Sequence, residues 1–335
     1  MKPSEEIKFS VENKDLLEEI KPLEEIKSLE DSKKANNVTF VTAYYSASGN
    51  KKDFLESGVK TLKICQPMVI YVEDEESSEF IKQVRTSYNL LEMRKIIIMP
   101  LSKFYFYKYR DIIEKNREKF WGSKDIRCNT DVHIVTLSKF NFVYDAIIND
   151  FFNTTHVGWI DFNLLDKSPH NSINYTSDTV YKKIDTISMY PKDGFSATIL
   201  NFWLPSFYND LKEFYASYKY ICVGGFHTTD IKTGLKIFPK LINYAECVTY
   251  RGYDHGEEHI FGHIIDHNLE DFNLSIGDCQ DAIENYHNIT SNHSYCQYVI
   301  DLYKNNRPQR YKYLLPYINS SNSAKLKNSL MDSWN

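Results

Sequence analysis

Four short apolar runs, separated by stretches of helical spacing, constrain this chain more than any other feature. The first is Val38-Thr39-Phe40-Val41-Thr42-Ala43-Tyr44-Tyr45, the second Met68-Val69-Ile70-Tyr71-Val72, the third Lys95-Ile96-Ile97-Ile98-Met99-Pro100. The fourth, His156-Val157-Gly158-Trp159-Ile160, stops on Asp161. Between them, Leu55, Val59 and Leu62, then Phe80, Val84, Tyr88 and Leu91, recur at threes and fours, as on one helix face. A third helix is expected to be capped by Ser138 and to turn Phe140, Val143 or Tyr144, Ile147 and Phe151 inward. Residues 102–131 show no clean period. Near-continuous apolar strands alternating with amphipathic helices predict an α/β fold, with a doubly wound, mostly parallel sheet covered by helices on both faces.

The fourth run places a carboxylate at the carboxyl edge of that sheet, where such folds bind ligands. If the extended geometry continues to Phe162 and Asn163, Asp161 and Asn163 point the same way. Two neighbouring oxygen ligands suit a hard divalent cation that holds a phosphate-bearing substrate. The competing reading is an ordinary turn, since Asp and Asn both favour turns.

Beyond Asp161 the pattern is mixed. Residues 164–182 read as a loop, Asp185–Tyr190 and Ser196–Trp203 as strands, and about 205–218 as a helix. Tyr220-Ile221-Cys222-Val223 reads as a strand ending at Gly224-Gly225, followed by a helix over about 229–243. Cys247-Val248-Thr249-Tyr250 comes next. A last helix is expected to open at Asp254-His255-Gly256-Glu257-Glu258-His259 and to run to about His267. Residues 1–36 form a charged leader, helical or mobile, with Leu16, Leu17, Ile20, Leu23, Ile26 and Leu29 in a stripe interrupted by Pro22. That stripe suggests self-association. The globular part spans 37–320, a nucleotide-binding half over about 37–165 and an acceptor half over about 166–320, with a polar tail at 321–335.

A formal charge of -5 and a pI near 6.1 provide no basic field, so nucleic acid is not an expected partner. The 6 cysteines are scattered, without C-x-x-C or zinc-ligand spacing, which points to free thiols in a reducing compartment. No signal core and no run of membrane-spanning length are evident, so a soluble, cytoplasmic protein is expected.

A set of short pieces then falls into order: Val41-Thr42-Ala43-Tyr44-Tyr45, Lys139, Trp159-Ile160-Asp161, Gly224-Gly225, Glu257-Glu258, Gly277-Asp278 and Asn285-Tyr286-His287. Across roughly 38–290 this series resembles the HtrL/YibB family, a group regarded as GT-A-type glycosyltransferases with members in bacteria and large viruses. The resemblance implies a GT-A-like, Rossmann-type sheet and a transferase that takes a UDP- or GDP-sugar donor and a glycan or other hydroxyl acceptor. It also implies a D-x-D-like site for Mn²⁺ or Mg²⁺, with Asp161 as the first carboxylate. Asn163 stands where a stricter motif has its second Asp, and His287 is the family-like candidate to complete the metal shell.

The remaining candidates each carry two readings. Thr42, Ala43 and Tyr44 end the first strand, where Tyr44 either stacks on a nucleotide base or packs in the core. Glu73 accepts ribose or base hydrogen bonds, or else begins an acidic turn. Lys139 meets the diphosphate as a point charge, or is an exposed helix lysine. Gly224 and Gly225 permit close backbone approach to a ligand, or make a turn. Glu257 or Glu258 deprotonates the acceptor if the reaction inverts configuration, and one of them serves only the helix start. Two alternatives to the transferase are a catalytically silent nucleotide- or sugar-binding protein and another metal-dependent enzyme of phosphate esters.

Overall fold

The structure is a computed structural model, and it describes residues 38–46, 55–119, 129–166, 178–199, 211–215, 221–276, 282–283 and 286–287. The leader, the tail, Gly277, Asp278 and Asn285 lie outside those residues, as do parts of the expected loop at 164–182 and helix at 205–218.

The apolar runs become strands: β1 Val38–Tyr44, β2 Met68–Val72, β3 Arg94–Ile98 and β4 His156–Ile160. They are joined by β5 Phe195–Ile199, β6 Cys222–Asp230 and β7 Phe272–Ile276 in one sheet of order β3-β2-β1-β4-β6-β5-β7. Neighbours pair in parallel except at β6, which runs antiparallel to both β4 and β5. The expected mostly parallel α/β sheet is what the chain forms.

Among the described helices are α1 Val59–Leu62, α2 Glu75–Ser87, α3 Arg110–Arg117, α4 Thr130–Asn149, α5 Asp178–Met189, α6 Leu211–Tyr215, α7 Ile231–Tyr250 and α8 Glu257–His267. Alternate strand residues feed opposite faces of the sheet. Val41, Tyr71, Val157 and Trp159 pack with α4, α7 and α8 through Ile134, Phe140, Leu241 and Phe261. Phe40, Ile70, Ile160 and Phe226 pack with α1, α2 and α5 through Leu62, Ile81 and Ile184. Helices therefore cover both faces. No helix among the described residues is long and apolar enough to cross a membrane.

Several local expectations are corrected. α4 begins at Thr130, with the Asn129 side chain accepting from the Val132 amide at 2.8 Å. Ser138 lies mid-helix, and its hydroxyl donates back to the Ile134 carbonyl. Asp185–Tyr190 belongs largely to α5, because Val180, Ile184 and Ile187 form a helical stripe that a shorter window reads as alternation. The helix expected over about 229–243 is α7, and it runs on through Cys247–Tyr250. β6 extends through Gly224-Gly225 instead of stopping there.

The helix after β2 shows a further shift. Tyr88 and Leu91 are exposed beyond the end of α2, and its buried positions are Ser77, Ile81 and Arg85. Arg85 is fully enclosed, and its guanidinium donates to the carbonyls of Leu62, Ile64, Gln66 and Met93. Burial lowers its pKa to about 10, which leaves it charged at neutral pH. A buried cation is tolerated where carbonyl dipoles surround it, and the planar fork reaches several at once. Arg85→Met is expected to cost about 3 kcal/mol or more in urea denaturation, because it strands those acceptors. Arg85→Lys should recover only part of the loss.

Candidate functional site

The order β3-β2-β1-β4 means that the connections after β1 run one way along the sheet and β4 lies on the other side. The carboxyl ends of β1 and β4 thus flank a topological switch point, the position at which open α/β sheets form a ligand crevice. Asp161 follows β4 directly, and its amide donates to the Gly225 carbonyl of the reversed strand at 2.8 Å.

Four elements converge there. The Lys139 ammonium, from α4, lies 2.9 Å from Asp161 Oδ1 and 2.9 Å from Glu257 Oε1. It also donates to the Gly224 carbonyl at 3.3 Å, and it sits 5.5 Å from the centre of the Trp159 ring. The Trp159 indole N–H donates to the same Asp161 Oδ1 at 2.8 Å. Burial acts to lower the lysine pKa, but the Asp161 and Glu257 carboxylates outweigh it and hold it above the ordinary lysine value. Glu257 begins α8 and is nearly enclosed, whereas the Asp161 side chain is 34% exposed and is the part of the cluster open to solvent.

The glycine pair provides the room. A Cβ at Gly224 would stand 2.6 Å from Glu257 Oε1, and one at Gly225 would stand 3.2 Å from Asp161 Oδ2. The close approach expected of these glycines is therefore made by the two carboxylates. Gly158, inside β4, has a different constraint: its Cβ would meet the His227 backbone carbonyl at 2.8 Å.

Other candidates take different places. Tyr44 is fully buried with its ring 5.2 Å from that of Phe162, which makes it a core residue. Thr42 is likewise enclosed, and Ala43 is half-buried against the α4 face. Glu73 follows β2 and accepts from the Ser46 amide at 3.3 Å, tying the carboxyl ends of β1 and β2 together. Glu258 is buried beside Glu257.

Asn163 does not continue the strand. The Leu164 amide donates to the Asp161 carbonyl and the Asp166 amide to the Asn163 carbonyl, which folds the backbone into successive turns. The Asn163 side chain is buried, and its Nδ2 has no hydrogen-bond partner among the described residues. His287 is exposed and pairs through Nε2 with the Tyr190 carbonyl at 2.8 Å. The neighbouring Tyr286 hydroxyl contacts Thr228 Oγ1 and the Lys192 amide. Tyr190 and Lys192 lead into the start of β5, which runs parallel to β4, so His287 belongs to the edge where these strands begin and Asp161 to the edge where they end. Among the described residues no three His, Cys, Asp or Glu side chains converge to hold a metal. The shell of Asp161, Asn163 and His287 expected for Mn²⁺ or Mg²⁺ is not assembled, and the residues present do not fit it.

Asp254, His255 and His259 are buried with the start of α8, and His255 Nε2 pairs with Thr249 Oγ1 at 2.9 Å. Burial, then Arg117, lowers the His133 pKa to about 3. Its 3.6 Å contact with Asp254 is therefore made by a neutral ring at neutral pH. His227, ringed by Phe195, Phe238 and Phe261, is lowered to about 3 by burial and then by Lys139.

The family model described as "Bacterial protein of unknown function (HtrL_YibB)" matches residues 37–287, well over half of the chain. The chain belongs to the HtrL/YibB family. A search of curated proteins finds no match. Among solved structures the chain is similar to the galactosyltransferase LgtC, crystallised in complex with donor and acceptor sugar analogues. That likeness has a TM-score of 0.33 and 10% identity, and covers 71% of this chain and 73% of the other. At that score it carries no inference about activity. The family match takes in every described element from β1 to β7 and each residue of the Lys139 cluster.

Gly158→Ala drives a methyl into backbone and should cost about 3 kcal/mol in chemical denaturation. Gly224→Ala meets only a flexible carboxylate; it should cost roughly 1 kcal/mol, with Glu257 displaced from Lys139 in a crystal structure. For His133 and His227, the unfolded chain takes up protons below about pH 6.5 while the folded chain does not. Their contribution is complete above pH 6.5 and is lost as pH falls toward 3. His227→Phe should flatten the pH dependence of urea stability between pH 6 and 4 by about 1.4 kcal/mol per pH unit.

Proposed function

We propose that this HtrL/YibB chain is a glycosyltransferase, moving a sugar from a UDP- or GDP-linked donor to an acceptor hydroxyl at the crevice between β1 and β4. The observation that carries the reading is the Lys139–Asp161–Glu257 cluster at the carboxyl ends of the parallel strands. The sequence resemblance to the HtrL/YibB family, regarded as GT-A-type, supports it, since the series of short pieces that carries it includes Lys139, Asp161 and Glu257. In the reaction the acceptor oxygen forms a bond to the anomeric carbon as the bond from that carbon to the diphosphate oxygen breaks. The diphosphate leaves with the bonding pair, and the hydroxyl proton passes to a carboxylate.

The roles divide by exposure. Asp161, the open member, faces the donor. Glu257 and Glu258, at the start of α8, border the acceptor side, and Glu257 is the carboxylate assigned to take the proton. Lys139 holds Asp161 and Glu257 at fixed separation, since proximity and orientation account for much of the rate in a bimolecular transfer.

Calorimetry with UDP and GDP, paired with hydrolysis assays on UDP- and GDP-hexoses, tests this, with Mn²⁺ present throughout. Nucleotide binding with slow donor hydrolysis is expected. Asp161→Asn and Glu257→Gln should each lower turnover by about 100-fold or more. Binding without turnover by any donor would instead identify a silent nucleotide-binding protein, and no nucleotide binding would remove both readings.

A further inference from the structure

The three hydrogens of an ammonium group allow three directed bonds. Lys139 spends them on Asp161 Oδ1 at 2.9 Å, Glu257 Oε1 at 2.9 Å and the Gly224 carbonyl at 3.3 Å. None remains for a phosphate oxygen, so the expected direct contact between Lys139 and a diphosphate would require the cluster to open. Two carboxylate oxygens and a backbone carbonyl around one positive charge are also the donors that a hard divalent ion selects. They come from the end of β4, the first turn of α8 and the start of β6, with the charge supplied from α4.

We propose that Lys139 is the resident cation of an oxygen cage that would otherwise take a divalent metal ion. The wild-type chain alone then takes up no Mn²⁺ or Mg²⁺ at this cage, and removal of the ammonium converts the cage into a divalent-cation site. The glycine pair is part of the device, because side chains at 224 and 225 would push the two carboxylates apart. The inference is independent of the transferase reading. It concerns the protein without nucleotide, so its failure and the failure of nucleotide binding are separate results.

The experiment compares the wild-type chain with Lys139→Met by Mn²⁺ electron paramagnetic resonance and by thermal unfolding with Mn²⁺, Ca²⁺ or EDTA. The wild type is expected to show no Mn²⁺ site that depends on Asp161, and its melting temperature should not respond to either metal. Lys139→Met should melt lower, recover on addition of Mn²⁺ or Ca²⁺, and bind one Mn²⁺ at least roughly tenfold more tightly than any wild-type site. That ion should be lost in the Lys139→Met/Asp161→Asn double variant. If Lys139→Met does not fold without metal, refolding in Mn²⁺ replaces the melting experiment, and recovery is again the expected result. A wild-type Mn²⁺ site abolished by Asp161→Asn overturns the proposal, as does a Lys139→Met protein that neither binds nor is rescued by either ion.

Discussion

One ammonium group keeps two like charges together in a crevice that is only partly wet. Asp161 and Glu257 each lie 2.9 Å from Lys139, so without it two carboxylates would face one another across a site walled by Trp159 and the sheet. Coulomb repulsion at such range is weak in water and grows as water is excluded. Placing the lysine between them turns that repulsion into two attractions. The arrangement also fixes geometry, because losing any one partner leaves a poorly solvated charge behind. The contact therefore joins α4, β4, β6 and α8 at the point where the sheet changes direction.

The reversal of β6 makes this possible. Because β6 runs antiparallel to β4, its Gly225 carbonyl receives the Asp161 amide immediately past the last paired residue, Ile160. The carboxylate is thus anchored through its own backbone before its side chain is used. Trp159, two residues earlier and on the same face, supplies a hydrogen bond from the indole to Oδ1. Oδ1 is consequently engaged by two donors, and Oδ2 is turned toward Gly225. Sequence spacing alone announces an aspartate at a strand end. The state of its two oxygens depends on partners about 20 and 65 residues away, at Lys139 and Gly225, and no local pattern conveys that.

What could be read in advance followed burial. β1, β2 and β4 are enclosed on both faces and so are written as unbroken apolar runs, which period-based reading finds directly, and the half-exposed edge strand β3 is found by its run of isoleucines. β7 was missed, because Phe272-Asn273-Leu274-Ser275-Ile276 alternates with polar residues that find partners, Thr198 Oγ1 against Ser275 Oγ among them. α2 was read one position out of phase because an arginine occupies the core-facing stripe. Asp185–Tyr190, which falls mostly in the second half of α5, was read as a strand because a short apolar window does not distinguish the two periods. At the site, the positions of Asp161, Lys139, the glycines and Glu257 came from order along the chain, and the structure brings them together. Asn163 and His287 were also placed by order, and they separate. Asn163 is removed by a turn, and His287 by a segment that docks beside the start of β5.

Two of the buried cations, Arg85 and Lys139, show why one belongs to the scaffold and the other to the site. Arg85 meets backbone carbonyls, with no carboxylate among its bonded partners, so its charge is spread over dipoles belonging to the loop after α1 and the turn before β3. Nothing reactive is held, and its planar fork suits several fixed acceptors. Lys139 is a compact charge that meets two ionised side chains, each of which has another oxygen outside the bond. A guanidinium there would impose its own plane on both carboxylates. An ammonium imposes only distance, which leaves Asp161 partly open to the crevice while its charge is balanced from behind. A chain that must both fold around a carboxylate and present it has reason to use lysine at one of these sites and arginine at the other.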